Sequence, residues 1–272
     1  MARLSTSRRA VSQALRISYK HLNRQAKLEE KDLVLKKQIE TTHKLHPAYG
    51  HRRLAWHLGI NHKRILRVMH KFGIKPPRRK VRRHYCTKSV SHCPFTNLIK
   101  TLAVTGINQV WCSDVSYVLF QGRFWYLATI EDIFTRQVVG FAFGKHHDNH
   151  LILAALKMAI LITGTVPLIF HSDQGTEFMA ETVFNFLQSK GVKISVSDKA
   201  SPWQNGYKES FFGRFKDEFG DVNRFDTVAE LMEEVYSQIK YYNQDRIHTA
   251  LKMPPAVYAA KVSENCLPKR GT

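Results

Sequence analysis

Three carboxylates stand at positions where a structural role alone explains them poorly. Asp173 follows the apolar run Val166-Pro167-Leu168-Ile169-Phe170, which reads as a buried strand, and Gly175 just beyond it is a turn residue, so the acid lies at the mouth of a strand. Glu209 lies in a segment whose Tyr207, Phe211, Phe212 and Phe215 wrap too far round for a strand and fit a partly buried helix. Asp114 interrupts Gln109 to Val118, a β-branched and aromatic run typical of a strand. A lone Asp there reads first as a hydrogen-bonded acid at a strand end, because a buried carboxylate has to be paired, bonded or metal-bound. As a set, two Asp and one Glu make a hard, oxygen-only site of the kind Mg²⁺ prefers, with open positions for water and phosphate; neutral His or Cys ligands would suit zinc instead. Two such ions roughly 4 Å apart stabilise the attacking and leaving oxygens of an in-line phosphodiester displacement.

The elements that would bring these acids together can be read around them. Between Asp173 and Glu209 lie 35 residues, room for a helix (Thr176 to Lys190), a strand (Val192 to Val196) and a loop. Upstream, strands are expected at Val110 to Leu119, Phe124 to Ile130 and Gln137 to Phe143, joined by turns at Gln121-Gly122 and around Phe134-Thr135 as an antiparallel meander. A helix from Asn149 to Thr163 then leads to the strand ending at Asp173, giving the order β-β-β-α-β-α-β-α. Asp132, at a strand end near a turn, reads as structural. A last helix, Thr227 to Asn243, carries Leu231, Val235, Ile239 and Tyr242 on one stripe and packs on the core.

The formal charge of the 272-residue chain is +20, and its distribution is uneven. Residues 1–106 hold 25 Lys and Arg against 4 Asp and Glu, whereas residues 107–272 hold 17 against 18. A basic first part beside a near-neutral second part suggests that the first grips a polyanion and the second works on it, the alternative being a merely soluble basic surface or ribosome-like RNA binding. Four cysteines (Cys86, Cys93, Cys112, Cys266) make no disulfide framework, and no hydrophobic signal region follows Met1, so a cytoplasmic location is expected. Leu151 to Thr163 is interrupted by Lys157 and too short to span a bilayer, so no membrane partner is expected.

The acidic pattern resembles the DDE transposase and retroviral integrase superfamily: Trp111-x-x-Asp114 at the first acid, His171-Ser172-Asp173-x-Gly175 at the second, then 35 residues and Glu209-Ser210-Phe211-Phe212 at the third. More narrowly, the chain resembles the orfB product of bacterial insertion sequences of the insertion-sequence-three family, from about Tyr49 to Tyr258. Tyr242 to Leu251, with Pro254-Pro255, resembles that family's closing signature, although Ile247 stands where the family usually has Pro and Gln204-Asn205-Gly206 where near relatives often have Asp-Asn-Ala. The resemblance implies an α/β fold, a ribonuclease-H-like mixed sheet core preceded by an all-α helix-turn-helix region. It implies catalytic and metal-binding roles for Asp114, Asp173 and Glu209, a requirement for Mg²⁺ (Mn²⁺ substituting), two ions, and action on the element's terminal inverted repeats and a target DNA. It further implies a homo-oligomer on DNA, a nucleoid-associated bacterial protein, and a partner encoded by an upstream reading frame, separate or fused.

Residues 1–40 read as a basic helical region: two short helices within Ser5 to Gln25, with Ser18 capping the second, then a charged helix from Leu28 whose apolar positions are Leu33, Leu35 and Ile39. Within 41–77, Tyr49 to Gly59 and a second helix capped by Asn61, with Ile65, Val68 and Met69 inward, form a helix-turn-helix, or else a plain αα-hairpin with a solvated basic face. The DNA-facing candidates are Arg52 and Arg53 on the first of these helices and His62, Lys63, Arg64, Arg67 and Lys71 on the second. The linker 78–106 opens with a basic run in which Arg78, Arg79, Lys80, Arg82 and Arg83 suit a phosphate track. The spacing of His84, Cys86, His92 and Cys93 matches no regular zinc finger.

The catalytic core is expected over 107–219, a C-terminal helical region over 220–265 and a loose tail over 266–272. Lys216, seven residues after Glu209 and on its face, and Arg246 are further candidates for DNA. His171, Asn205 and His248 are candidates to orient the acids, with a satisfied core histidine the alternative for His171. Trp203 is either a stacking platform or a lid on the core. Two rival functions stand beside the transposase: a DNA-binding regulator whose core no longer catalyses, and a ribonuclease-H-like nuclease acting on RNA hybrids or junctions.

Overall fold

A computed structural model describes residues 7–16, 18–77, 95–198 and 206–266, without the side chains at 8, 19, 21–23, 25–26, 206–209 and 265–266. The chain divides into two units, Met1–Arg78 and Arg79–Thr272.

The first unit is helical. Ser7 Oγ accepts from the amide of Ala10 to cap α1 (Arg8–Ala14), and α2 runs unbroken from Tyr19 to Leu45. The sequence suggested separate helices on either side of Gln25; no Gly or Pro lies between Tyr19 and Leu45, so nothing interrupts the backbone hydrogen bonds. Ser18 occupies the capping position of α2 but makes no capping bond. The inward face of α2 is Asp32, Leu35, Ile39 and Thr42; Leu33, expected inward, points half outward. Helix α3 (His51–Leu58) ends at Gly59, whose φ of +64° is the left-handed closure that glycine adopts without strain. Asn61 Oδ1 then accepts from the Lys63 amide at 2.9 Å to start α4 (His62–Lys71), with Ile65, Val68 and Met69 buried. Two helices meet about the turn that the sequence suggested.

The second unit is built on a five-stranded mixed sheet. Strands β1 (Val110–Phe120), β2 (Arg123–Asp132) and β3 (Val138–Gly144) form the antiparallel meander. Gln121 and Gly122 both take positive φ, the twist a two-residue hairpin requires. Asp132 is structural: its carboxylate accepts from the amides of Thr135 and Asn108 at 2.7 and 2.5 Å. Helix α5 (Asn149–Thr163) leads to β4 (Ile169–Ser172), and α6 (Glu181–Ser189) to β5 (Lys193–Val196). The spatial order is β3-β2-β1-β4-β5, with β1 central, antiparallel to β2 and parallel to β4.

Trp111, Val115, Ala128, Ile130 and Phe170 pack under α5 and α6 on one face of the sheet. Contact there is close: a Cβ on Gly140 would lie 2.4 Å from the Ala155 carbonyl oxygen, so only glycine lets α5 settle onto β3. On the opposite face Phe120, Leu127, Val138 and Phe141 meet the aromatic stripe of α7 (Gly206–Phe219) and the apolar stripe of α8 (Val228–Gln244). The N-cap of α8 is Thr227, and its stripe is Leu231, Val235, Ile239 and Tyr242, as expected. Two boundaries differ from expectation. Helix α6 starts at Glu181 rather than Thr176, residues 176–180 being spent on a tight turn, and an unforeseen α9 (Pro255–Cys266) begins at a proline, whose missing N–H costs nothing in a first helical turn.

Candidate active site

The parallel pairing of β1 with β4 sets the first two acids. Cys112 lies opposite His171 in that register, so Asp114 and Asp173, each two residues further on, come level with one another. The twofold alternation of strand side chains puts Asp114 on the sheet face covered by α7 and α8, and Asp173 stands just past the end of the neighbouring strand. Asp114 is a strand residue whose Oδ1 accepts from the amide of Val115 at 2.8 Å. Asp173 is the first residue past β4, and its Oδ1 accepts from the amide of Gly175 at 3.1 Å. Glu209 is on α7, and α7 packs on this same face through Phe211, Phe212, Phe215 and Phe219. Its backbone is described and its side chain is not.

Burial holds the Asp173 carboxyl above the usual carboxylate range, the neighbouring Glu177 adds to the rise, and the Gly175 amide and His147 oppose it. Tyr117, three residues beyond Asp114, is also pushed up, first by burial and then by Glu177, Tyr126, Asp173 and Asp114, so its hydroxyl stays protonated beside the carboxylates. Carboxylate oxygens as a class are donors for hard divalent cations. Among the described residues no group of three or more His, Cys, Asp and Glu is set to hold a metal ion, and the third expected ligand, the Glu209 carboxylate, lies outside that description.

The structure sorts the surrounding candidates. His171 is fully buried, its Nδ1 is 2.9 Å from Ser195 Oγ on β5, and Ser195 Oγ also accepts from the amide of Leu98. Burial lowers its pKa to about 4, so the ring is neutral and ties β4 to β5 and to the segment around residue 98. Arg246 is corrected: it is 1% exposed, with Nε and Nη2 on the carboxylate of Glu218 at 2.6 and 2.7 Å, and it braces α7 instead of reaching DNA. His248 pairs its backbone with Met253 in a turn. Lys216 lies half-buried on α7.

In the helical unit Arg67 and Lys71, both still partly open to solvent, point to Asp32 of α2, whose carboxylate is wholly buried between them. Arg53 lies over the Tyr49 ring and donates to the Ala48 carbonyl oxygen. Arg52, His62, Lys63 and Arg64 are exposed, and no ion pair joins Lys63 or Arg64 to another described residue. Arg78, Arg79, Lys80, Arg82, Arg83, the His84-to-Cys93 cluster, Trp203 and Asn205 lie outside the described residues.

Sequence reasoning missed two residues beside Asp173. Glu177 is buried and lies 2.9 Å from His147 Nε2, the His147 ring stacking on Tyr126 with centroids 5.1 Å apart. Glu177 holds the His147 pKa above its ordinary value against the opposing effect of burial. The signal was present in His171-Ser172-Asp173-Gln174-Gly175-Thr176-Glu177, but a helix expected from Thr176 placed Glu177 on a helical surface.

Comparison with known proteins agrees with this geometry. Two models described as Integrase core domain match residues 105–202 and 190–255. An uncharacterized transposase-like protein of Haemophilus influenzae is 30% identical over 71% of this chain and 89% of its own length. The transposase for insertion sequence element IS904 of Lactococcus lactis is 31% identical over 70% of this chain and 77% of its own length. Among solved structures, the cryo-EM structure of a simian T-cell lymphotropic virus intasome in complex with PP2A regulatory subunit B56 gamma shares the fold, with a TM-score of 0.50 and 14% identity over 85% of this chain and 76% of that one. With a ribonuclease-H-like sheet, two acids level at its centre and relatives of this identity and coverage, the chain belongs to the insertion-sequence transposases that carry an integrase core domain.

Proposed function

We propose that this chain, an orfB-class subunit, cuts and joins DNA strands at the terminal inverted repeats of its own insertion sequence, with Asp114, Asp173 and Glu209 as its catalytic acids. The observation that supports this reading is the β1–β4 register, which brings the strand bearing Asp114 alongside the strand end at which Asp173 stands, in the sheet on which α7, bearing Glu209, packs. The three carboxylates would hold divalent metal, and their all-oxygen character fits Mg²⁺, with Mn²⁺ as a substitute. Two divalent ions held by these residues would supply Lewis-acid stabilisation of the scissile phosphate and of the entering and leaving oxygens.

What the protein itself contributes is position and charge. Asp114 is fixed by the central strand, Asp173 by its bond from Gly175, and Glu209 by a helix anchored through four phenylalanines and the Arg246–Glu218 pair. In the first step water attacks a phosphodiester and releases a 3′-hydroxyl. In the second, that 3′-hydroxyl attacks another phosphodiester and displaces the 3′-oxygen of the target strand, so one bond forms for each that breaks and no covalent enzyme intermediate is needed. The exposed cations Arg52, Lys63 and Arg64 with His62, and the linker cations Arg78, Arg79, Lys80, Arg82 and Arg83, would hold phosphate. The reaction joins two ends, which calls for an oligomer on DNA, with the upstream-frame product as a further partner. No described helix is long and apolar enough to cross a membrane. Action on the DNA of a bacterial element would put the chain in the cytoplasm, at the nucleoid.

The test is strand cleavage and joining on labelled duplexes carrying the repeats that flank the gene, with Mg²⁺ or Mn²⁺. The unaltered chain, supplemented with the upstream-frame product, is expected to cut and join. Asp114→Asn, Asp173→Asn and Glu209→Gln are each expected to lose about 10²- to 10³-fold in rate, as removal of a principal electrostatic contributor does. An Asp173→Asn protein that still joins ends at the parent rate would sink the assignment.

A further inference from the structure

We propose that Glu177 and His147 are positioning residues for Asp173, acting through Gly175 to hold its carboxylate where a metal ion is bound. The proposal rests on the reading of Asp173 as a metal ligand. Each link is a contact in the fold. The Gly175 amide donates to Asp173 Oδ1 at 3.1 Å, fixing the rotation of that carboxylate. Glu177 folds back beneath the same turn, so closely that a Cβ built on Gly175 would lie 2.5 Å from Glu177 Oε1 and 2.8 Å from Oε2. His147 Nε2 lies 2.9 Å from that Oε1. Tyr126 and Tyr117 wall in the imidazole, their ring centroids 5.1 and 5.4 Å from it.

Two features set this arrangement apart from an incidental ion pair. First, the Glu177 side chain is only 3% exposed, and a carboxylate taken out of water next to other carboxylates is costly unless something is gained in return. A hydrophobic residue would fill the same space with less penalty. Second, Gly175 has no positive φ to explain it, and the space its missing Cβ leaves is taken by the Glu177 carboxylate. A methyl group there would strike the Glu177 carboxylate, which would have to move. The late start of α6 has the same cause: Phe178 and Met179 both donate their amides to the Gly175 carbonyl oxygen, closing the turn that aims Glu177 backward. His147, at the end of the β3–α5 connection, thereby links that connection to the orientation of Asp173. Carboxylates that ligate metals are held by such partners in general, and losing one typically weakens metal binding or activity about 10- to 100-fold.

The experiment uses the full-length chain and Mn²⁺ as the probe, titrated by electron paramagnetic resonance, beside thermal unfolding and the Mg²⁺ dependence of strand cleavage. Gly175→Ala, Glu177→Ala and His147→Asn are each expected to weaken Mn²⁺ binding about tenfold. The Mg²⁺ concentration for half-maximal cleavage should rise similarly, with a smaller change in the plateau rate. The double variant Gly175→Ala/Glu177→Ala is expected to bind Mn²⁺ no more weakly than Glu177→Ala alone, because the added methyl enters space the shortened side chain has left. Glu177→Gln, matched in shape, serves if the alanine variant fails to fold, and it too should lose several-fold in Mn²⁺ affinity. Parent-like Mn²⁺ affinity in the folded Glu177 and Gly175 variants overturns the proposal. So does a double variant that sums the two single losses. Asp173→Asn is run alongside: if it keeps parent affinity, the metal-ligand reading fails and carries this proposal down with it, an outcome told apart by that variant alone.

Discussion

At the scale of the residue, the fold commits some side chains that the sequence offered to DNA to partners within the protein. Arg246 is the sharpest case. In a chain of net charge +20, an Arg within a closing motif reads as a DNA contact, and nothing local says otherwise because its partner, Glu218, is 28 positions away. The fold buries the guanidinium in a two-pronged grip on that carboxylate and lays it over the Tyr242 ring at 5.6 Å. Removing one member of such a pair strands the other charge. Arg246→Met is therefore expected to destabilise the second unit by about 3 kcal/mol, and Arg246→Lys by less, since a single ammonium cannot make both bonds. Urea unfolding monitored through the core tryptophans checks it. Arg246→Met/Glu218→Met should recover most of the loss; a double variant as unstable as the single one would show that the grip is not the cause. By contrast the acids were legible in the sequence, because an Asp inside a β-branched run and another just past an apolar run have few bland explanations. Glu177 was not, since its role depends on a turn whose only local mark is Gly175.

At the scale of the element, periodicity was a good guide wherever one face met a core. The three meander strands, α5, α8 and the α3–α4 pair follow their apolar stripes closely. It failed on α2, where the buried stripe runs through a charged residue. Asp32 stands in line with Leu35, Ile39 and Thr42, and a hydrophobicity pattern cannot see that an Asp is inward until its cations, Arg67 and Lys71 on α4, are brought to it. The hydrogen bond from Arg67 outweighs the effect of burial and holds the Asp32 carboxyl below the usual carboxylate range, with Lys71 helping. The folded pKa is thus lower than the unfolded one, near 3.9, so the stability from this acid is present above that value and is lost as pH falls through the folded pKa. Asp32→Asn is expected to loosen the first unit by about 2 kcal/mol at neutral pH, the exposure of Arg67 keeping the figure modest. Amide exchange along α4 in the full chain should report the loss. The gap between parent and variant should narrow in acid below pH 4, and a gap independent of pH would mean that the ionised pair is not its source.

At the scale of the whole molecule, the division of charge is the feature that sequence conveyed most directly. The excess lies in residues 1–106, and the remainder is close to neutral around its own acidic site. What composition could not say is which cations remain available, because that depends on which ones the fold has already spent. Arg67 and Lys71 are committed to Asp32, and Arg246 to Glu218, whereas Lys63 and Arg64 stand exposed at the start of α4 with no ion pair to a described residue. Binding to duplex DNA releases about 0.9 counterion per phosphate neutralised, so the slope of log K against log salt counts phosphate contacts. Lys63→Ala/Arg64→Ala is expected to reduce that slope by about 2, and to weaken binding to unrelated sequences as much as to the element's ends if both residues meet phosphate alone. Arg67→Ala, although it removes the same charge, should change the slope by less than one contact, because the Asp32 carboxylate already balances it. Fluorescence anisotropy across a series of salt concentrations measures all three. Equal slope changes for Arg67 and Arg64 would show that the Asp32 pair opens on DNA, and an unchanged slope for the double variant would move the phosphate grip away from α4 altogether.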